Sequence, residues 1–197
     1  RRIGEKNLPS AWIILGQVFW LSAISGILLG ILGYFSATYS LELLGASCDV
    51  IRHGKIYLEQ RHLWLFIANL LFSFNACLRG SGNAKTALFV LGLSNLSNII
   101  LDPIFIFGFW KIPAYGVRGA AYATIISQGL GLCSQIIIFS RGTDRLKFTW
   151  ASVGLHLETT KIITQKAFFT IPHSFLRLSS VIFINFLFIK DRFIWFH

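Results

Sequence analysis

The stretch Asn95-Leu96-Ser97-Asn98-Ile99-Ile100-Leu101-Asp102-Pro103 lies inside a run from Thr86 to Trp110 whose one charged residue is Asp102. A helix rises about 1.5 Å per residue, so a run of this length crosses the roughly 30 Å of hydrocarbon in a bilayer. Asn95, Asn98 and Asp102 fall at i, i+3 and i+7 and therefore share one helical face. An ionisable side chain at the centre of such a helix costs about 2.5–3.5 kcal/mol on insertion scales, so this polar stripe has to face protein or water. Pro103 removes a backbone donor and leaves the carbonyl of residue 99 without its helical partner. A carboxylate, an amide and a freed carbonyl are oxygen ligands of the kind that hold Na⁺ or a proton. A structural hydrogen bond to a neighbouring helix, through Thr124 or Gln128, is the plainer reading of the same residues.

Other runs meet the same length criterion: 11–36 within the charge-free stretch Ala11 to Leu41, 58–78, 119–140, and 167–189 with Arg177 inside it. With 86–110 they predict an all-α fold, a polytopic membrane helix bundle of about five transmembrane helices. Composition agrees. The chain is 54% hydrophobic and 13% charged with a mean hydropathy of +0.65, whereas in soluble domains about a quarter of residues are charged. The formal charge of +10, from 18 Lys and Arg against 8 Asp and Glu, would suggest nucleic acid in a soluble chain. Here the charges flank the apolar runs, so the expected partner is the lipid bilayer and not nucleic acid. Lys and Arg lie in modest excess on the side that holds Arg1, the Arg79 to Lys85 loop and the 141–166 connection, which puts that side in the cytoplasm. The opposite side takes Arg52, Lys55, Arg61, Lys111, Arg118, Lys190 and Arg192. The chain begins at Arg1 and has no Met, so it reads as a segment of a longer protein.

The 119–140 span carries a second polar series, Thr124, Gln128 and Gln135. Turned towards the stripe on the preceding span, it would line a wet cavity; a structural polar seam accounts for the glutamines equally well. Arg177 snorkels, pairs with a group outside this chain or, less simply, meets substrate. Gly26 and Gly30 form a GxxxG, which points to close helix packing. The glycines of Arg79-Gly80-Ser81-Gly82-Asn83-Ala84-Lys85-Thr86 read as a tight turn between helices, because Arg79 and Ala84 stand where a phosphate-binding loop needs Gly. Cys48, Cys77 and Cys133 are too scattered for a disulfide framework, and no residue set predicts a metal site. His53, His62 and His156 read as solvated loop or interface residues. With no HExxH and no GxSxG, an enzyme is not expected.

From Leu78 to Gln128 the chain resembles the multidrug and toxic compound extrusion family of secondary transporters. The resemblance rests on Leu78-Arg79-Gly80-Ser81-Gly82-Asn83-Ala84-Lys85-Thr86, on Asn95 to Asn98 with Ile99-Ile100-Leu101-Asp102-Pro103, and on Gly116-Val117-Arg118-Gly119-Ala120-Ala121-Tyr122-Ala123-Thr124 with Ser127 and Gln128. It implies a twelve-helix, two-lobe transporter. Residues 1–140 would then be helices three to six of the first lobe, 141–166 the cytoplasmic link and 167–197 the start of the second lobe. By the same resemblance Asp102, Asn98 and Thr124 would form the cation-coupling set, while Asn95, Gln128 and Gln135 would line the cavity. Ser180 stands where members that couple through the second lobe carry a Glu, which favours a first-lobe site. The implied function is antiport: export of organic, often cationic, compounds in exchange for Na⁺ or H⁺, with no cofactor beyond the coupling ion. The expected partners are the bilayer, a small organic substrate and the remainder of the transporter, in a multi-pass cell-membrane protein, most simply of a bacterial inner membrane. The rival readings are a non-transporting fragment or membrane structural subunit, and a lipid-linked sugar flippase of the same superfamily.

Overall fold

A chain in hydrocarbon has to satisfy its backbone polar groups internally, and the apolar runs do so as helices. The computed structural model describes residues 8–142, 154 and 158–165, which belong to two units, Arg1–Leu155 and His156–His197. The second unit contributes a helical stretch at 158–165, in which Thr164 Oγ1 donates to the Thr160 carbonyl at 2.9 Å. The first holds α1 (Leu8–Leu43), α2 (Cys48–Leu63), α3 (Leu65–Gly80), α4 (Ala84–Phe107) and α5 (Val117–Arg141). Among the described residues the only β pairing is a single bridge between Phe109 and Ile112. The all-α membrane bundle is thus the fold observed. Three of the helices are long and apolar enough to cross a membrane, or four if α2 and α3 count as one bent span. The span expected at 167–189 lies outside the described residues.

The helix expected over 86–110 ends at Phe107, and two further boundaries differ from the sequence reading. α1 does not stop at residue 36 but continues to Leu43, because nothing from Gly33 onward breaks it. It ends where Gly45 N donates to Glu42 O (2.9 Å) and Ala46 N to Leu41 O (3.1 Å), the paired bonds of a Schellman cap. The second correction concerns the span expected at 58–78. It is two helices meeting at Trp64 with a bend of 54°. Arg52 and Lys55, which precede the expected span, lie with Arg61 on the helix α2, where Lys55 and Glu59 pair at 3.8 Å. α2 has no fully buried residue, and its polarity hid it from a search for apolar runs.

The bend has no Pro or Gly of its own; it is seated on the glycines of α1. A Cβ on Gly26 would lie 2.6 Å from Phe66 Cα, one on Gly30 2.5 Å from the His62 carbonyl oxygen, and one on Gly33 2.1 Å from the His62 ring. The expected GxxxG is therefore a contact surface, extended by a third glycine. His62, expected as a solvated loop or interface residue, is half-buried at the helix interface with its ring over Gly33. Asn69 reinforces the joint by donating to Ser22 O (3.0 Å) and Ser25 Oγ (2.9 Å) on α1.

The turn between α3 and α4 is as tight as expected. Gly82 takes φ +86, a left-handed conformation that costs glycine nothing. Gly82 N then bonds Arg79 O (3.0 Å) and Asn83 N bonds Leu78 O (3.0 Å), closing α3. Asn83 caps α4 through its side chain, which accepts from Thr86 N at 3.2 Å. Buried Asn75 accepts from Arg79 and donates to Ala87 O at 2.7 Å, linking the two helices.

The apolar core sits at this same end of the bundle. Leu15, Phe74, Leu78, Ala87 and Phe139 are buried together, with Phe74 between the rings of Phe19 and Phe139 at 6.4 and 5.4 Å. It thus joins the first part of α1, the last turns of α3 and α5 and the start of α4. Gln17, fully buried beside it, donates to the Gly154 carbonyl at 2.7 Å and ties the chain beyond α5 back to α1.

Gly30→Ala is expected to destabilise the protein by about 1–3 kcal/mol, since backbone at the bend has to move to admit a methyl group. Gly80→Ala, which meets open space, is expected to leave stability unchanged. Thermal unfolding of the two variants in detergent compares them; equal melting temperatures would mean that the α1 groove does not hold the bend.

Candidate functional site

α4 and α5 cross closely enough that a Cβ on Gly119 would lie 2.2 Å from the Phe105 carbonyl oxygen. Further along, Gly131 meets Ser94 Cβ and Leu71 Cδ1, each at 3.1 Å from where its Cβ would stand. Between these points Ser94 Oγ donates to the Ser127 carbonyl at 3.0 Å, and Ser127 Oγ to Thr124 O at 2.9 Å. The buried residues of α5 include Gly119, Ala123, Ser127, Gly131, Gln135 and Phe139, one every four residues. Small residues at that spacing let two backbones approach. The seam is written in the sequence as a repeat of Gly119, Ala123, Ser127 and Gly131 at a spacing of four, a signal separate from the polar series.

The polar stripe of α4 runs beside this seam rather than through it. Asp102 and Asn98 are half-buried and in contact, Asn98 Nδ2 donating to Asp102 Oδ1 at 3.2 Å, whereas Asn95 is exposed. The i,i+4 spacing of Asn98 and Asp102 brings amide and carboxylate together on one turn. Pro103 stays within the helix, so the Ile99 carbonyl has no i+4 amide donor. Asp102 stands in the last third of α4, away from the Arg79 to Lys85 turn.

On α5, Thr124 is half-buried and its Oγ1 donates to Ala120 O at 2.9 Å, which leaves its lone pairs as acceptors. Gln128, one turn on, has its Oε1 buried without a hydrogen-bond partner. Gln135 shares their face but lies about two turns further, where α3 covers it. It is fully buried and donates to the Leu71 carbonyl at 3.2 Å, which seats it inside the α3–α5 contact instead of on an open surface. The hydrogen bonds of Asn98, Asp102 and Thr124 stay within their own helices, and the bond that crosses between α4 and α5 is made by Ser94. No cluster of three His, Cys, Asp or Glu occurs among the described residues. The chemistry on offer is one carboxylate among neutral oxygens, which suits a proton or a hard monovalent cation better than a transition metal. Arg177 lies outside the described residues.

A family model, MatE, matches residues 1–104 and takes in the first two of the three sequence motifs. The chain belongs to the MatE family. Similar curated proteins include the probable multidrug resistance protein NorM of Thermotoga maritima, 36% identical over 147 residues, which are 74% of this chain and 32% of that protein. The probable multidrug resistance protein YoeA of Bacillus subtilis is 31% identical over 63% of this chain and 27% of its own length. A Shewanella oneidensis protein named FAD transporter is 28% identical over 78% of this chain and 36% of its own length. Among solved structures, an inward-facing multidrug resistance MATE family transporter of the MOP superfamily superposes with a TM-score of 0.74 at 27% identity, over 84% of this chain and 37% of that one. An outward-facing MATE structure gives 0.70 over 81% and 35%. This MatE chain thus spans about a third of the length of the relatives it matches. Its helices are those of a multi-pass membrane transporter family, and the lipid bilayer is their medium.

Gly119→Ala is expected to cost about 1–3 kcal/mol, because the carbonyl it would strike is backbone and cannot rotate away. Thermal unfolding in detergent reads it; an unchanged melting temperature would mean that α4 and α5 cross at a wider distance than described.

Proposed function

We propose that this chain is part of a secondary active antiporter that exports organic, often cationic, compounds in exchange for Na⁺ or H⁺, with Asp102 as the coupling group. The observation that carries the reading is the Asn98 to Asp102 contact beside a proline-freed carbonyl, a lone carboxylate within a membrane helix. A proton or Na⁺ bound there cancels the one negative charge of α4. Asn98 holds the carboxylate by donating to one oxygen, and Thr124 Oγ1, Asn98 Oδ1 and the Ile99 carbonyl supply neutral acceptors on the two adjoining helices. Occupation of the site changes the charge presented to the cargo path. The ion drives export only if its affinity differs between the inward-open and outward-open states.

The cationic class of cargo is supported by charge. Within α4 and α5, Lys85, Arg118 and Arg141 stand at the helix ends, and the acid Asp102 lies between. An anionic cargo such as a dinucleotide or a lipid-linked sugar would need basic groups at membrane depth. Among the described residues these two helices carry none there.

The test is ethidium efflux from vesicles that contain the full-length antiporter, wild type beside Asp102→Asn, under an imposed Na⁺ or proton gradient. Gradient-driven export is expected from the wild type and its loss from the variant, with membrane insertion intact. Normal export by Asp102→Asn would remove Asp102 from the mechanism, and no export by the wild type under either gradient would overturn the antiport reading.

A further inference from the structure

The link between α4 and α5 is built with more constraint than a crossing loop needs. Phe109 N donates to Ile112 O at 3.1 Å and Ile112 N donates back to Phe109 O at 2.9 Å, which makes a two-residue hairpin with Trp110 and Lys111 at its tip. Its base is locked onto the helices. Tyr115 N bonds Phe105 O (3.0 Å) and Gly116 N bonds Ile106 O (3.1 Å), capturing carbonyls at the end of α4. The Tyr115 ring packs against Phe105 at 6.3 Å and edge-on against Tyr122 at 5.8 Å. The two arms touch, since a Cβ on Gly108 would lie 2.9 Å from Ala114 N.

Trp110 has φ +53, in the left-handed region. For a bulky L-residue that conformation costs about 1–2 kcal/mol, and the first position of such hairpins usually goes to Gly. Burial within the chain does not offset this cost. Trp110 is 89% exposed, Phe107 77% and Phe109 66%. A rigid turn that holds large rings outward under strain is shaped for something beyond the chain.

The position of the hairpin identifies the partner. α4 has 24 residues, about 36 Å of helix against about 30 Å of hydrocarbon, so a tip beyond its end lies at headgroup level. An indole ring, apolar with one N–H donor, is suited to that boundary. Lys111 places an ammonium group beside it, complementary to lipid phosphates. The exposed apolar face of α4, with Leu96, Ile99 and Ile100, runs up to the hairpin, so the rings continue a lipid-facing surface.

We propose that the hairpin at 107–115 is an interfacial anchor: it seats Phe109 and Trp110 where acyl chains meet headgroups, sets Lys111 against the phosphates, and holds the adjacent ends of α4 and α5 at constant depth. Asp102, little more than a turn inside the end of α4, keeps its level in the membrane through the same contact. The anchor is independent of cargo and of coupling ion.

The experiment compares the wild type with Trp110→Phe in liposomes of phosphatidylcholine brominated either near the glycerol end of the acyl chain or near its terminal methyl. The difference in emission belongs to Trp110. Most of that emission is expected to be lost to the shallow bromines, less to the deep ones, and little to acrylamide in the water. Quenching by acrylamide without quenching by bromine would overturn the proposal in favour of a water-exposed tip. Protection from both would overturn it in favour of protein covering the tip, and stronger quenching by the deep bromines would place the ring in the hydrocarbon and overturn it as well. Phe109→Trp in the Trp110→Phe background moves the reporter by one residue; it is expected to restore bromine-sensitive emission, and emission without bromine sensitivity would likewise count against the anchor.

Discussion

Lipid tails are as apolar as leucine, so helices in a bilayer gain little by burying apolar side chains against one another and have to gain by close contact instead. The architecture described above follows from that constraint. Gly26, Gly30 and Gly33 on α1 admit the bent joint of α2 and α3 to backbone contact, and Gly119 and Gly131 on α5 admit α4 and α3. At each crossing the neighbour is a carbonyl, a Cα, the first atoms of a side chain or a ring. A methyl group at Gly26, Gly30, Gly33 or Gly119 would force the backbone or a packed ring to move, and at Gly131 it would press on the side chains of Leu71 and Ser94.

The polar groups are distributed accordingly. Those that bond to backbone across helices, Asn69, Asn75, Ser94 and Gln135, lie in the seams, where water is excluded and a missing partner is costly. Asp102 lies beside a seam, held by Asn98 on its own helix, and so keeps unused acceptor capacity on a half-buried carboxylate. A group enclosed in a helix contact and bonded across it is structural, and a group aligned by its own helix and left half-open is available to a mobile ion. This separates Gln135 from Asp102, although both are polar residues within apolar helices.

Much of the fold was legible because hydrocarbon permits so few structures. The runs at 11–36, 86–110 and 119–140 became helices, and Gly82 with Asn83 formed the expected turn, since a left-handed glycine followed by an Asn cap carries both a stop and a start. The joint at Trp64 was not legible. It contains neither Pro nor Gly, and the glycines that accommodate it belong to a helix more than thirty residues earlier. The first turns of the polar helix α2 were not legible either, because Asp49, Arg52 and Lys55 interrupt any apolar run while their backbone is helical.

Sequence by itself determined that the chain is helical and membrane-spanning, because charge-free runs of sufficient length have no other way to satisfy their backbones in lipid. It also determined that Asn98 and Asp102 meet, because a spacing of four on a helix is a local contact. Only the tertiary structure decided which polar residues are consumed in packing and which stay open, where the second span bends, and that an aromatic hairpin projects from the ends of α4 and α5. Each of these depends on which helix lies against which. Residues far apart in the chain set that arrangement by fitting glycine to carbonyl, and local periodicity carries no record of it.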